Sequence, residues 1–363
     1  MPNSLSTSPF VSVVLSVFNG EKYLEIAVRS ILEQTFTNFE LIAIDDGSTD
    51  ASGRILETLS RSDSRLRVFS QGNQGLIAAL NRGVSLSQGQ FIARMDADDI
   101  AVPERLERQV EFLNRNPGIA LVGSAMTLID SHGKKIRELP YPTGPIRVAC
   151  LMRDSCSVAH PTVMVRKTVL LELGGYRPAF QHAEDYDLWL RLIERHCIDN
   201  LPESLLLYRH HGGNVSVRFR QKQALATFFA RYCATLRSSG RGDPLEGATD
   251  PIDLSILENL RLPAREEMDL RISLLKEAVC RDCQEGAVQW LEENLDWVWN
   301  NRSLVKKGKL VRRVLIPAAV YYWKMAEKPR AQLWFCRGIG SAPLSAMLAL
   351  FRYGLVGGKT HTA

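Results

Sequence analysis

The sequence predicts an α/β fold in which a mostly parallel sheet with flanking helices is followed by a mainly helical region. Short apolar segments alternate with helical patterns through the first hundred residues, as βαβ units require. Two of these segments run directly into acidic clusters, at the strand ends where parallel sheets bind ligands. Beyond about residue 215 the strand-like segments fade and helical spacing takes over.

The first hundred residues predict four strands and the helices between them. Each strand is an apolar run that ends in a polar turn, and each helix repeats apolar residues at a spacing of three or four. In chain order these are a strand at Val11–Val17, a helix with Leu24, Val28, Ile31 and Leu32 on one face, strands at Phe39–Ile44 and Leu66–Phe69, a helix at Gln74–Leu86 and a strand at Gln90–Met95.

The next hundred residues predict further elements of the same domain. These are a helix after Pro103, strands at Ile119–Ile129, Val158–Val165 and Ser204–Tyr208, and an amphipathic helix at Asp185–His196. Helical patterns then follow around residues 268–279 and 288–298, with a loop rich in Ser, Gly and Pro at residues 237–251. We therefore expect a catalytic domain at residues 1–215 and a helical, basic region at residues 216–363.

The C-terminal region carries most of the positive charge of this 363-residue chain, whose total is +5. From Arg302 onward there are 12 basic residues and one acid, Glu327, so this tail carries +11 and the rest carries −6. Residues 306–313 are basic and Val314–Trp323 is apolar and aromatic, which suits a helix on an anionic membrane surface. An amphipathic helix packed on the catalytic domain explains the pattern equally well. No nucleic-acid-binding module is recognisable, so no nucleic-acid partner is expected.

Cysteine usage and hydropathy suggest where the protein works. The seven cysteines are scattered and odd in number, and no signal peptide is evident, which favours a reducing compartment. Cys280 and Cys283 form a CxxC without a second pair at zinc-site spacing. The sequence contains no run of 18 uncharged apolar residues, so it predicts no membrane-spanning helix. We expect a cytoplasmic protein, peripheral on the inner face of the cell membrane if the tail binds lipid.

Asp96, Asp98 and Asp99 are the most informative acids, because they follow a short apolar strand directly. Three crowded carboxylates repel one another unless a cation compensates, and hard oxygen ligands suit Mg²⁺ or Mn²⁺ better than zinc. A solvated acidic turn before the next helix is the alternative. Asp45 and Asp46 also stand at a strand end, so both clusters can share one crevice, and this convergence favours a binding site.

Several short motifs occur in a fixed order along the chain. They are Val11–Gly20, Asp45–Asp50, Asn73-Gln74-Gly75, Met95–Asp99, Gly174-Gly175-Tyr176, Glu184–Arg191 and Tyr208–His211. Together they resemble the inverting family 2 glycosyltransferases, which have a GT-A fold, over roughly residues 10–215. The resemblance implies a GT-A catalytic domain that transfers a sugar from a nucleotide-diphosphate donor, with a UDP-sugar as the first expectation.

The resemblance also implies a nucleotide site and a metal site. Asp45 or Asp46 would accept a hydrogen bond from the N3–H of a uracil or thymine ring, and Asp96 would contact the ribose or a metal-bound water. The remaining residues expected to bind the nucleotide are Phe18, Asn19 and Gly75. Asp98 would bind Mn²⁺ or Mg²⁺ directly, with His211 as a further ligand. Asp99 is equally well explained as a turn residue.

Asp185 matches the acid that the family uses as the general base on the acceptor hydroxyl. An acidic residue at a helix N-terminus is also stabilising by itself, so helix capping is the alternative role. Glu184, Arg209 and His160 are candidates for contacts with the diphosphate or the acceptor. His160, which precedes Pro161, is better explained as a structural or acceptor-site histidine than as a metal ligand.

The expected function is therefore metal-dependent, inverting transfer of a sugar to a hydroxyl of a glycan or lipid-linked saccharide. The alternative from another class is a non-catalytic nucleotide-sugar or glycan-binding protein of the same fold, which the intact acids at all three sites disfavour. A nucleotidyltransferase is disfavoured because the first strand ends at Val17-Phe18-Asn19-Gly20 and Glu21, without a glycine-rich basic phosphate loop.

Overall fold

The computed structural model describes residues 8–211, 219–253, 262–279 and 287–304, together with residues 315, 318–319, 331–334 and 336–337. Its contacts group the chain into two compact units. The first comprises residues 1–218 and 229–251, and the second comprises residues 219–228 and 252–363. The domain boundary predicted at residue 215 remains a prediction.

The first unit is built on one mixed sheet. Its strands are β1 (Val11–Val17), β2 (Phe39–Asp45), β3 (Leu66–Ser70), β4 (Phe91–Asp96), β5 (Ile100–Ala101), β6 (Ile119–Ile129), β7 (Lys135–Leu139), β8 (Met164–Arg166) and β9 (Cys197–Arg209). The helices of the described residues are α1 (Leu24–Leu32), α2 (Ser52–Ser62), α3 (Leu76–Leu86), α4 (Arg105–Arg115), α5 (Pro145–Met152), α6 (Lys167–Glu172), α7 (Glu184–Leu192), α8 (Arg220–Ser238), α9 (Ala264–Val279) and α10 (Ala287–Asn300).

The strands lie in the order β3-β2-β1-β4-β8-β6-β9-β5, and β7 pairs with β6 as a hairpin. The four N-terminal strands are mutually parallel, and β6 is parallel to β9, whereas β8 is antiparallel to both of its neighbours. All seven residues of β2 are buried. Burial on both faces explains its continuous apolar sequence, because helices cover both sides of a parallel sheet. The GT-A expectation of a mostly parallel sheet with flanking helices is confirmed at this level.

Amphipathic helices cover the sheet as their apolar spacing predicts. In α1, Leu24, Ala27, Val28 and Ile31 are buried, and they belong to the same core as β1 and β4. Each face-to-sheet contact therefore removes a stripe of aliphatic side chains from water, which is the main stabilising contribution in such folds. The result is a rigid platform beneath the carboxyl ends of β1, β2 and β4.

Two segments differ from the sequence-based expectation. The strand predicted at Val158–Val165 is reduced to β8, because residues 160–162 form a 3₁₀ turn around Pro161. Proline has no N–H to donate to a sheet, so the chain turns before it joins β4. The strand predicted at Ser204–Tyr208 is longer than expected, since β9 begins at Cys197.

The second unit has the helices that its periodicity predicts. Met268, Ile272 and Leu275 are buried on α9, and Leu295 and Val298 are buried on α10. The predicted interfacial segment at residues 306–323 and the Cys280–Cys283 pair lie, apart from a few positions, outside the described residues. Among the residues that are described, no helix is both long and apolar enough to cross a membrane.

Candidate active site

The carboxyl end of β1 lies between the two predicted acidic clusters. Val17 of β1 is in register with Asp45 at the end of β2, and Ser16 is in register with Asp96 at the end of β4. Neighbouring parallel strands therefore deliver both clusters to one edge of the sheet, which is where open α/β sheets bind ligands.

Asp46 is engaged with the loop that precedes α3. Its Oδ1 accepts hydrogen bonds from Gln71 Nε2 at 2.8 Å and from the Gln74 N–H at 2.9 Å, while its Oδ2 accepts from the Gly75 N–H at 2.8 Å. Gly75 has a φ of 87°, a conformation that glycine adopts without the steric cost of a side chain. Asp46 is buried, so its carboxylate holds this loop in place and has little capacity left for a ligand.

Asp45 has a more open arrangement. Its Oδ1 accepts a hydrogen bond from the Ser48 N–H at 3.0 Å, and the structure gives no partner for Oδ2 among the described residues. A Cβ placed on Gly53 would lie 3.2 Å from this Oδ2, so the glycine leaves the space beside the carboxylate open. Of the two adjacent acids, Asp45 is therefore the better placed to accept a hydrogen bond from the N3–H of a uracil or thymine ring.

The loop after β1 is tied to the loop after β2. Asn19 has a φ of 51°, a left-handed conformation that asparagine tolerates better than most residues. Its N–H donates to Ser48 Oγ at 3.0 Å, and its Oδ1 accepts from the Thr49 N–H at 2.8 Å. Phe18, 51% exposed, precedes it on the rim of the sheet. These bonds fix the loop, so Asn19 supports the predicted nucleotide site through its backbone conformation.

Asp96, Asp98 and Asp99 form the acidic centre of this edge, with one oxygen of each within 4.8 Å of the others. Burial raises the pKa of Asp98 and Asp99, and the charge of Asp96 raises both further. Asp99 Oδ2 is buried and has no hydrogen-bond partner among the residues that the structure describes. An unpartnered buried oxygen within a cluster of mutually repelling carboxylates fits a divalent cation such as Mn²⁺ or Mg²⁺, for which oxygen is the preferred ligand.

His211, which the sequence suggested as a further metal ligand, lies beside this cluster. Its Nε2 is 2.9 Å from Asp98 Oδ2, and its ring centroid is 5.5 Å from that of Tyr23. A cation bound at Asp98 would be within reach of the same imidazole nitrogen, since Nε2 and Oδ2 already converge.

Arg209, a candidate for diphosphate contact, is buried beneath the cluster. Its N–H donates to Asp99 Oδ1 at 2.8 Å, its Nε donates to the Asp98 carbonyl at 2.9 Å, and its Nη1 donates to the Asp130 carbonyl at 3.2 Å. The guanidinium carbon also lies 4.5 Å from the Tyr23 ring centroid. This arrangement favours a supporting role for Arg209, which shapes the turn that carries Asp98 and Asp99.

Glu184 and Asp185 open α7, where carboxylates interact favourably with the helix dipole. Burial raises the pKa of Glu184 to about 7, with a further contribution from the charge of Asp185. Burial also raises the pKa of Asp185, whose Oδ1 accepts from the Tyr186 N–H at 2.7 Å. Glu184 is buried and Asp185 is partly exposed, so Asp185 is the acid of this pair that an incoming hydroxyl can approach.

His160 is enclosed and not available to a metal in the acidic cluster. Its Nε2 lies 2.9 Å from the Tyr176 hydroxyl, and its ring packs edge-on against Trp189 at a centroid distance of 5.9 Å. Burial lowers the pKa of His160 well below 6.5, and the nearby positive charge of Arg94 lowers it further. A neutral, buried imidazole of this kind is consistent with the structural role that the sequence suggested.

Two charged neighbours of the candidate site were not predicted from the sequence. Arg94 interrupts the apolar run of β4 and pairs with Asp96, and a lone basic residue inside a buried strand is the signal that would have revealed it. Asp187, fully buried on α7, accepts from Arg177 through both of its oxygens and from Arg191 Nε at 3.0 Å. The bonds that Asp187 accepts from Arg177 and Arg191 hold α7 in place, and α7 is the helix that carries Asp185.

Comparison with known proteins gives sequence relatives that match more than half of this chain. The family model for glycosyl transferase family 2 matches residues 12–174. The O-antigen biosynthesis glycosyltransferase WbnJ of Escherichia coli is 37% identical over 230 residues, which are 62% of this chain and 87% of WbnJ. The amylovoran biosynthesis glycosyltransferase AmsE of Erwinia amylovora is 32% identical over 212 residues, covering 57% of this chain and 79% of AmsE.

Solved structures share the fold. S. aureus TarS in complex with UDP-GlcNAc superimposes with a TM-score of 0.57 at 16% identity, covering 95% of this chain and 92% of that one. The mannosyltransferase PcManGT from Pyrobaculum calidifontis, in complex with GDP-Man and Mn²⁺, has a TM-score of 0.50 at 14% identity, with coverages of 82% and 86%. At this identity the likeness concerns the fold alone.

Proposed function

The chain belongs to glycosyltransferase family 2, and from that premise we propose that it transfers a sugar from a nucleotide-diphosphate donor to an acceptor hydroxyl with inversion. The observation that carries the proposal is the convergence of Asp96, Asp98 and Asp99 at the end of β4, where Asp99 Oδ2 is buried and no described residue bonds to it. Such a cluster is suited to a cation that neutralises a diphosphate leaving group.

The donor base would bind beside β2. Asp45 Oδ2 is the oxygen that we expect to accept from the N3–H of a uracil, while Asp46 maintains the loop at Gln74 and Gly75. The exposed ring of Phe18 lies on the same rim and offers a surface against which a base can stack. TarS and PcManGT are described with UDP-GlcNAc and GDP-Man respectively, so a nucleotide sugar is the expected donor class.

The diphosphate would lie over the acidic cluster. Asp98 and His211 are the residues that would hold Mn²⁺ or Mg²⁺, with Asp99 Oδ2 close by, and Asp96 would accept from the ribose hydroxyls or a metal-bound water. The cation supplies positive charge that stabilises the departing diphosphate. Arg209 contributes by fixing the main chain of Asp98 and the side chain of Asp99.

The acceptor would be activated by Asp185. As the acceptor oxygen attacks the anomeric carbon, its proton passes to the Asp185 carboxylate, and the bond from the anomeric carbon to the diphosphate oxygen breaks. One in-line displacement without an enzyme nucleophile inverts the anomeric centre. Burial raises the pKa of Asp185 and so makes its carboxylate a stronger base than an exposed aspartate.

The acceptor is expected to be a glycan or a lipid-linked saccharide. The names of WbnJ and AmsE place those relatives in O-antigen and amylovoran biosynthesis, and both products are polysaccharides. The basic tail after Arg302 is proposed to contact an anionic membrane surface, which would put the enzyme on the inner face of the cell membrane. Co-sedimentation with phosphatidylglycerol vesicles at low salt, compared with neutral phosphatidylcholine vesicles, tests this; equal recovery with both lipids would contradict it.

The central experiment combines a donor screen with an Asp185→Asn variant. UDP-, GDP- and dTDP-sugars are offered with Mn²⁺ and hydrolysis is followed, and the anomeric configuration of any transfer product is read by NMR. In Asp185→Asn we expect nucleotide affinity within about twofold of wild type and turnover lower by about 10²–10⁴-fold, the usual contribution of a general base. Asp250→Asn, an exposed acid, serves as the matched control.

Each outcome separates the competing functions. Binding of a nucleotide sugar without turnover by the wild-type protein would favour the non-catalytic binding protein. Turnover that persists in Asp185→Asn would remove this residue as the base, and an axial-to-axial or equatorial-to-equatorial product would remove the inverting mechanism. Failure to bind any of the nucleotide sugars would overturn the proposed function as a whole.

A further inference from the structure

Arg94 occupies a central position behind the acidic cluster. It lies on β4, two residues before Asp96, and is only 6% exposed. Its main chain is held on both sides, because its N–H donates to the Val163 carbonyl at 3.1 Å and its carbonyl accepts from Arg105 Nη2 at 2.7 Å. A guanidinium enclosed in this way costs free energy unless it makes defined ionic contacts, so its partners are informative.

The main partner of Arg94 is the Asp96 carboxylate. Nη1 lies 2.6 Å from Oδ2 and Nη2 lies 2.6 Å from Oδ1, a two-pronged pair in which each nitrogen meets a different oxygen. Such a pair fixes the plane of the carboxylate as well as its position. Each carboxylate oxygen accepts about two hydrogen bonds, so each keeps one acceptor site, and the Asp96 side chain is 28% exposed.

Among the described residues, the other two acids of the cluster have no such arginine partner. Asp98 contacts His211, and Asp99 receives one main-chain N–H, while no described residue bonds to its Oδ2. A cation on Asp96 would place two positive groups on one carboxylate, whereas a cation on Asp98 and Asp99 relieves their repulsion. The guanidinium of Arg94 therefore separates Asp96 from Asp98 and Asp99, so that a metal ion is expected on the latter two acids.

The charge of Arg94 also reaches the second acidic pair. Burial raises the pKa of Glu184 and Asp185, and the positive charge of Arg94 acts in the opposite direction on both. Loss of Arg94 would consequently affect the acids at the end of β4 and the acids at the start of α7 together.

We propose that Arg94 is a positioning residue for donor binding. This proposal rests on the proposed transfer function. The two-pronged pair with Arg94 holds the Asp96 carboxylate so that its free acceptor sites receive the ribose hydroxyls of a nucleoside diphosphate, and Asp98 is left to bind the divalent cation. Asp96 then recognises hydroxyl groups, and its orientation depends on Arg94.

The test measures how strongly the protein distinguishes ribose hydroxyls. Titration calorimetry with Mn²⁺ gives dissociation constants for UDP and GDP and for their 2′-deoxy and 3′-deoxy analogues. A hydrogen bond to a charged group is worth about 1.5–3 kcal/mol, so we expect the wild-type protein to lose roughly 10–150-fold in affinity for one analogue. In Arg94→Lys, which keeps the charge without the planar fork, this preference should fall below about threefold.

A double-mutant cycle shows whether Arg94 acts through Asp96. Asp96→Asn should lose the preference for ribose, and adding Arg94→Lys to it should change the dissociation constant by less than about twofold. Arg166→Lys is the matched control, because Arg166 is on the adjacent strand β8 and is in register with Phe91 at the opposite end of β4. Within the described part of the chain its side chain donates to main-chain carbonyls alone. This variant should keep the wild-type preference even if its melting temperature falls.

Different outcomes would contradict the positioning role of Arg94, the division between Asp96 and Asp98, and the proposed function itself. If Arg94→Lys melts earlier yet keeps the ribose preference, or if its effect adds fully to that of Asp96→Asn, the positioning role is overturned. If Arg94→Lys does not fold, Mn²⁺ titrations still decide: Asp96→Asn should change Mn²⁺ affinity by less than about threefold and Asp98→Asn by at least about tenfold, and the reverse order would overturn the division. If neither UDP nor GDP binds the wild-type protein, the proposed function fails instead.

Discussion

Replacing Glu184 by glutamine should stabilise the ligand-free protein at pH 8 and have little effect at pH 5. Glu184 is buried, and burial together with the charge of Asp185 raises its pKa from 4.5 to about 7. The folded protein therefore binds this proton more tightly than the unfolded chain does. The free energy of unfolding consequently falls as the pH rises from about 4.5 to about 7, and the loss is complete above that range.

The size of the effect follows from the two pKa values. Each tenfold difference in proton affinity corresponds to 1.36 kcal/mol, so ionised Glu184 costs the folded protein roughly 3 kcal/mol at pH 8. Glutamine keeps an oxygen that accepts the hydrogen bonds from the main chain at the start of α7, and it never ionises. The raised pKa already includes every interaction of the charge with its surroundings, the helix dipole among them. We therefore expect a stabilisation of about 3 kcal/mol at pH 8.

Urea unfolding followed by tryptophan fluorescence measures this difference, with wild type and variant compared at pH 5 and pH 8. Glu25→Gln is the matched control, because Glu25 lies in the first turn of α1 but is exposed, and its effect should stay within about 0.5 kcal/mol at both pH values. A Glu184→Gln variant that is less stable than wild type at pH 8, or equally more stable at both pH values, would refute the reasoning.

Two further predictions concern buried acids, namely the adjacent pair Asp45 and Asp46 and the ion-paired Asp187. Asp46→Asn should lower the free energy of unfolding by about 1–3 kcal/mol because Asp46 holds the loop before α3, whereas Asp45→Asn should keep the urea midpoint and weaken nucleotide binding in calorimetry. Equal loss of stability in both variants would contradict this division. Arg177→Met should cost about 3–5 kcal/mol in urea unfolding, since it leaves the Asp187 charge buried without its main partner, and a loss below about 1 kcal/mol would show that Arg191 suffices.

The order of strands and helices was largely predictable because local sequence determines it. β1 and β6 begin and end where their apolar runs predict, since β-branched residues flanked by turns have few alternatives. β9 extends further than predicted because Pro202 and Glu203 are skipped in its pairing with β6, where the register shifts between Ser124 and Ala125. A bulge of this kind depends on the neighbouring strand, so no local pattern reveals it.

The location of the candidate site was also predictable, but the work of its individual residues was not. The motifs gave Asp45 and Asp46 the same expected role in nucleotide binding. Only the folded chain shows that the Asp46 carboxylate already accepts hydrogen bonds from residues 71–75. Arg209 was a candidate for diphosphate contact, and the spacing of the motifs did not indicate that its guanidinium donates to the carbonyls of Asp98 and Asp130. Such assignments rest on contacts between residues that are 25 to 111 positions apart, which spacing along the chain does not encode.

The ion-pair network around Asp187 has a practical consequence for any shortened form of this enzyme. Arg177 Nη1 lies 2.8 Å from Asp243 Oδ2, and Arg237 Nη1 lies 2.6 Å from the same oxygen. A chain ended at residue 215, where the catalytic sequence motifs stop, would lack both Asp243 and Arg237. Arg177, which pairs with Asp187 on the helix that carries Asp185, would then lose one of its two carboxylate partners. Expression of the smallest active fragment should therefore extend to about residue 251, well past its last recognisable motif.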